Sequence, residues 1–139
     1  MQVQAYLDFD GRCEEALEFY KQALGAQVDM LMRLKEAPQQ PPPGMVAPGS
    51  DNKIMHVTFR IGDTTVMASD GACKGQRTFS GITLSIQAKD VPEAERAFNA
   101  LSAGGRVNMP LQKTFFSPAF GMLADKFGVS WMVNVPGQI

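Results

Sequence analysis

The stretch Gln2–Val28, QVQAYLDFDGRCEEALEFYKQALGAQV, decides the fold, because its pattern returns at Ile82–Val107 as ITLSIQAKDVPEAERAFNALSAGGRV. In the first copy Val3, Ala5, Leu7 and Phe9 alternate with Gln4, Tyr6 and Asp8, the period of a half-buried strand over Gln2–Phe9. Asp10-Gly11 turns the chain, with Asp10 placed to cap the helix that follows, and Glu14 and Glu15 occupy its first turn. Cys13, Ala16, Leu17, Tyr20 and Leu24 recur at helical spacing until Gly25 stops them. In the second copy Ile82, Leu84 and Ile86 alternate with Thr83, Ser85 and Gln87. Asp90-Val91-Pro92-Glu93 is a variant capping box, Ala94, Ala97, Phe98 and Leu101 form the apolar stripe, and Gly104-Gly105 ends the helix.

Three strands follow each helix. In the first half they run over Ala26–Leu34, Ile54–Ile61 and Thr65–Ser69, the last two joined by a tight Gly62-Asp63 hairpin. Residues 35–51, rich in Pro and Gly, cannot supply a ladder and read as a long exposed loop. In the second half the strands are Arg106–Lys113, Ala119–Ala124 and Ser130–Val135. Glu15-Ala16 falls on Glu93-Ala94 and Tyr20 on Phe98 at an offset of 78, and Val28 on Val107 at 79. Gly62 falls on Gly128 at 66, because the first half carries the Pro-rich insertion. The repeated order strand–helix–strand–strand–strand predicts an α+β fold of two βαβββ modules within one domain over 1–139, module one over about 1–72 and module two over about 79–139. Each helix covers the apolar face of its sheet. The other faces, carrying Gln4, Tyr6 and Asp8 or Thr83, Ser85 and Gln87, are expected to enclose a semi-polar cleft.

Composition narrows the function. Of 139 residues 45% are hydrophobic, enough for a core without disulfide or metal staples. Thirteen Lys plus Arg balance fourteen Asp plus Glu, which leaves no electrostatic footprint for nucleic acid or an anionic membrane. No apolar run reaches the roughly 18 residues of a membrane span. The N-terminus lacks the basic and apolar regions of a signal peptide, and two cysteines make no disulfide scaffold, so a reducing cytoplasm is the expected compartment.

FDGRCEEALEFYKQALG (Phe9–Gly25), IMHVTFRIGDTTVMASD (Ile54–Asp70) and FGMLADKFGVSWMVN (Phe120–Asn134), in that order, resemble the PhnB-like branch of the glyoxalase, bleomycin-resistance and extradiol-dioxygenase superfamily, also called vicinal oxygen chelate. The resemblance covers nearly the whole chain. It implies curved mixed sheets around a cup, and a homodimer. Branch members often carry the label 3-demethylubiquinone-9 3-methyltransferase, although this sequence has no glycine-rich nucleotide loop of the kind a methyltransferase uses.

The superfamily's metal enzymes take His, Gln and Glu ligands from the first and last strand of each module. Carried over, those positions hold Gln4 or Tyr6, Val66 or Ala68, Thr83 or Gly81, and Met132. Val66, Thr83 and Met132 cannot hold a hard divalent cation, so no metal and no cofactor is expected. His56, the single histidine, is the candidate catalytic group, as a general base or as the residue that orients a ligand. The alternative is a structural histidine bonded across the sheet. Candidate ligand contacts are Gln4, Tyr6, Asp8, Asp70, Thr83, Phe115, Phe116 and Met132, the aromatics suiting a flat or apolar molecule. Asp8 could equally cap the first helix, and Asp70 could pair with Arg60 or Lys74 or cap the turn into Gly71. Cys13 sits where a helix terminus would stabilise a thiolate. Three functions fit: a metal-free cup for a small, partly apolar molecule; a divalent-metal isomerase, lyase or dioxygenase; or a protein that sequesters a drug or metabolite.

Overall fold

Each repeat closes its own four-stranded sheet. The structure, a computed structural model, describes residues 1–137, so the end of the expected second module, Gln138-Ile139, lies outside the described residues. The chain divides into one unit over Met1–Arg77 and a second from Thr78 onward.

In the first unit, β1 (Tyr6–Asp8), α1 (Cys13–Leu24), β2 (Gln27–Arg33), β3 (Ile54–Ile61) and β4 (Thr64–Ser69) form a sheet of order β1-β4-β3-β2. β1 runs parallel to β4, because a helix crosses between β1 and β2, and the other pairs are antiparallel. Gly25 ends α1 at φ 67°, a left-handed conformation that glycine adopts at little cost. The helix buries Ala16, Leu17 and Tyr20, and Tyr20 stacks on Phe59 of β3 at 6.4 Å between centroids. Burying side chains of this size contributes about 1.5–3 kcal/mol each.

The second unit repeats the plan. β5 (Thr83–Gln87), α2 (Val91–Ser102), β6 (Arg106–Gln112), β7 (Phe120–Ala124) and β8 (Ser130–Asn134) form a sheet of order β5-β8-β7-β6 with β5 parallel to β8. Asp90 caps α2 by accepting from Glu93 N at 2.9 Å, and Glu93 reaches back to Lys89 N. The register of β2 against β3 shifts between Val28 and Met30, and that of β6 against β7 between Val107 and Met109. An irregularity at the same place in both repeats is an independent mark of duplication.

Four local expectations need correction. The first strand is only Tyr6–Asp8, and Val3 is 94% exposed, because its partner β4 is paired only from Met67 to Ser69. Ile82, the Val3 of the second repeat, is likewise 74% exposed. Asp10 does not cap α1; its carboxylate accepts from the backbone N–H groups of Lys74, Gln76 and Arg77. Asp70 pairs with neither Arg60 nor Lys74: it is 1% exposed and supplies the missing acceptor, Oδ1 taking Gly11 N and Cys13 N while Oδ2 takes Ile54 N. Finally, Val66 and Ala68 are buried on the helix side of β4, opposite Phe59 and Val57. The open-side residues of that strand are Thr65 and Met67, so the position that faces Tyr6 is Met67 and not Val66 or Ala68.

Candidate functional site

The side of a sheet that its helix leaves uncovered is where side chains can meet a ligand. Partners directly opposite in a ladder share a face. In the first unit the register therefore puts Tyr6, Met67, Thr58 and Met30 in one row, with His56 and Met32 in the next. The Tyr6 hydroxyl lies 3.0 Å from His56 Nδ1, and His56 Nε2 lies 3.2 Å from Thr58 Oγ1. The two rings sit 5.5 Å apart and tilted by 37°. Both neighbours of the imidazole are hydroxyls, each able to donate or accept, so either neutral tautomer is fully satisfied. Tyr6 is 50% exposed, which leaves this end of the chain of hydrogen bonds open.

Asp8 shares the face but is already engaged. Its Oδ1 accepts from Asp10 N at 2.9 Å, and its Oδ2 pairs with Arg77 at 3.2 Å. Arg60, on the same strand as His56, is committed to Asp29 at 2.9 Å, which raises its pKa further above the ordinary arginine value. Gln4 precedes β1 and is exposed. The structure thus brings Tyr6 and His56 together, places Asp8 near them on the same face, and sends Asp70 into the interior.

In the second unit Thr83 and Met132 share the open face with Ser85, Gln87, Met122, Phe120 and Asn134. Phe115 is 95% exposed, and Phe116 stands edge-on between it and Phe120, at 5.1 Å from each. Trp131 is on the helix side, where its Nε1 donates to the buried Asp125 at 2.9 Å. Asn134 and its bond to Gln87 are not legible in the sequence, since an amide at a strand end carries no signal of its own.

Two further tests bear on chemistry. Cys13 is fully buried, and desolvation, reinforced by Asp70, pushes its thiol far above the ordinary value. That reverses the helix-terminus expectation. For a divalent metal the donor set does not fit: the open face of the first sheet offers one imidazole, hydroxyls and thioethers, and the carboxylates of Asp8 and Asp29 are held by Arg77 and Arg60. Among the described residues no three His, Cys, Asp or Glu side chains gather into a group that could hold a metal ion. No described helix is long and apolar enough to cross a membrane.

Residues 1–134 match the family model for 3-demethylubiquinone-9 3-methyltransferase. The protein PA1353 from Pseudomonas aeruginosa superposes with a TM-score of 0.84 at 37% identity, covering 99% of both chains. A putative 3-demethylubiquinone-9 3-methyltransferase, the PhnB protein from Bacillus cereus, gives a TM-score of 0.79 at 27% identity over 97% of this chain and 99% of that one. A glyoxylase/bleomycin resistance protein/dioxygenase domain from Frankia sp. EAN1pec shares the fold, at 13% identity and a TM-score of 0.67 over 99% and 98% of the two chains. With duplicated βαβββ modules, both motif-bearing hairpins and a match along nearly its whole length, the chain belongs to the 3-demethylubiquinone-9 3-methyltransferase family, as a PhnB-like protein with the glyoxalase/bleomycin-resistance/dioxygenase fold.

Proposed function

We propose that the chain binds a small, partly apolar molecule on the open face of the first module, with His56 as the polar anchor and without a divalent metal. The observation that supports this reading is the Tyr6–His56–Thr58 chain of hydrogen bonds on a face where Met30, Met32 and Met67 stand beside it. An imidazole bridged by two hydroxyls gives or takes a hydrogen bond with equal ease, and a ligand oxygen can replace the exposed Tyr6 hydroxyl at Nδ1. The thioethers supply an apolar wall that adapts to shape. Gln4 and Asp8 flank this anchor. The imidazole acts as acid or base only toward a ligand atom within hydrogen-bond reach of it.

The same reading takes the protein as a cytoplasmic homodimer. Val3 and Ile82, equivalent in the two repeats and both strongly exposed, support an apolar surface for a second copy. Two free cysteines suit a reducing compartment.

Native mass spectrometry of the chain against a panel of small phenols, ketones and aliphatic alcohols tests the binding. Methyl NMR of Met30, Met32 and Met67 locates the bound molecule. His56→Gln should weaken binding at least ten-fold while costing under ~1 kcal/mol of stability, because the bond to Tyr6 is solvent-exposed. A panel that moves none of these methyls, or a His56→Gln variant with unchanged affinity, refutes the reading. Elemental analysis giving close to one Zn, Ni, Mn or Fe per chain would end its metal-free part.

A further inference from the structure

We propose that the open face of the second module's sheet takes a neutral carboxamide carried on an aromatic ring. A ladder of side chains on this face stops one bond short. Gln87 Nε2 donates to Ser85 Oγ at 3.0 Å, and Asn134 Nδ2 donates to Gln87 Oε1 at 2.9 Å. Asn134 Oδ1 then lies shielded from solvent with no hydrogen-bond partner. Roughly nine in ten or more buried polar atoms of folded proteins have one. The orphan is therefore an acceptor waiting for a donor, and the soft terminal torsion of asparagine lets it turn toward one without backbone movement.

The ladder also runs in reverse. A serine hydroxyl donates as readily as it accepts, and the oxygen and nitrogen of each amide exchange places by a half-turn. Reversed, Ser85 donates to Gln87, Gln87 donates to Asn134, and the unpartnered atom becomes Asn134 Nδ2. In either direction the missing group is the complement of one amide edge. A carboxamide, with donor and acceptor side by side, completes both.

The surroundings select the rest of the ligand. Register places Gln87, Asn134, Phe120 and Gln112 in one row and Ser85, Met132, Met122 and Met109 in the next. Neither row contains an ionisable group. With the ladder as it stands a carboxylate would meet the Asn134 carbonyl oxygen; with the ladder reversed it would find one amide N–H but no cation in either row to offset its desolvation, so the neutral amide is preferred to the isosteric acid. Phe120 stands directly opposite Asn134, and Phe116 meets it edge-on at 5.1 Å, leaving aromatic surface beside the amide for a ligand ring. This site lies on the other module from His56 and does not rest on the reading given for that residue.

The test titrates the full chain with benzamide and with benzoate, followed through the side-chain NH2 resonances of Asn134 and Gln87. Benzamide should shift both resonances and bind at least ten-fold tighter than benzoate. Equal affinities, or no benzamide-dependent shift at these two groups, overturn the proposal. Asn134→Leu should erase the ten-fold preference, and its survival in a folded variant also overturns the proposal. Should that variant not fold, Gln87→Met, which removes the amide that orients Asn134, must reduce the preference several-fold. His56→Gln should leave benzamide affinity unchanged, which separates this site from the one on the first module.

Discussion

Asp70→Ala should be among the most damaging single substitutions in the first module. Its carboxylate accepts from Gly11 N at 3.0 Å, Cys13 N at 2.7 Å and Ile54 N at 2.7 Å, joining the start of α1 to the start of β3. Gly11 is partly exposed and can turn to water, so the cost falls on two buried amides, those of Cys13 and Ile54. A buried group left without its partner costs about 1–3 kcal/mol, which for two amides, less the relief of no longer desolvating a carboxylate, gives a loss of about 3–4 kcal/mol. Asp70→Asn keeps an oxygen for Gly11 and Cys13 but turns an NH2 toward Ile54 N–H, so about half that loss is expected. The total stability of a domain is only about 5–15 kcal/mol, so both effects are measurable by urea unfolding. Trp131 lies in the second module, so far-UV circular dichroism and amide exchange at Cys13 and Ile54, rather than tryptophan fluorescence, should follow the transition. A loss under ~1 kcal/mol for Asp70→Ala, or an Asn variant weaker than the Ala variant, refutes the reasoning. Lost ligand binding at unchanged stability would instead return Asp70 to the ligand contacts.

Cys13 should resist iodoacetamide until the chain unfolds, since burial pushes its thiol up, while the partly exposed Cys73 reacts first; mass spectrometry of the alkylated peptides decides the order. Asp10→Asn should speed trypsin cleavage after Lys74 or Arg77, because it weakens the carboxylate that holds the amides of residues 74, 76 and 77. Those backbone bonds, Arg77's foremost, hold the Asp10 pKa below its ordinary 3.8, so its contribution is present above that value and fades as pH falls through the lower folded one. The chemical shifts of the three amides, followed from pH 5 downward, should therefore move only below about 3.8. Light scattering should report about twice the 15.1 kDa chain mass at micromolar concentration, and a monomer mass would refute the homodimer.

Elements with strong local signals were legible in the sequence. The Asp90–Glu93 box sits at the start of α2, Gly25 ends α1, and Gly62-Asp63 turns β3 into β4. Choices set by distant chain were not. Alternation over Gln2–Phe9 shows a strand-like period but cannot show where the partner stops, and β1 pairs with β4 for three residues only. A neighbouring aspartate is the natural candidate for a helix cap, yet the acceptor for Cys13 N comes from 57 residues away. In β4, Met67 on one face and Val66 on the other are both apolar, so hydrophobicity alone leaves the parity of that strand undecided; only the pairing of Val66 with Phe59 settles it. His56 was legible as a candidate because it is the single imidazole, and Thr58, two residues along the same strand, shares its face by parity alone; the Tyr6 hydroxyl became visible only through the pairing of β1 with β4, which in turn pairs with β3.

Equivalent positions of the two sheets show how one backbone plan carries two chemistries. Asp8 opposite Ser69 in the first module corresponds to Gln87 opposite Asn134 in the second, and both pairs close the parallel ladder at its end. In the first module that pair is spent on structure: Ser69 Oγ accepts from Gly71 N, and Asp8 holds Arg77. In the second, the pair forms a side-chain hydrogen bond on the open face and leaves an acceptor unused. On the neighbouring strands the trade runs the other way. His56 and Thr58, two of the three polar residues of β3, are replaced at the matching register positions of β7 by Phe120 and Met122. Duplication followed by this exchange gives one face a hydroxyl–imidazole chain among thioethers, and the other an amide ladder beside aromatic rings. Such a division suits two chemically unlike ligands, one for each face, better than it suits two copies of one group. Exchanging Phe120 for His should therefore not reproduce the His56 site, because the residue matching Tyr6 is Ser85, whose short side chain carries its hydroxyl to Gln87 instead.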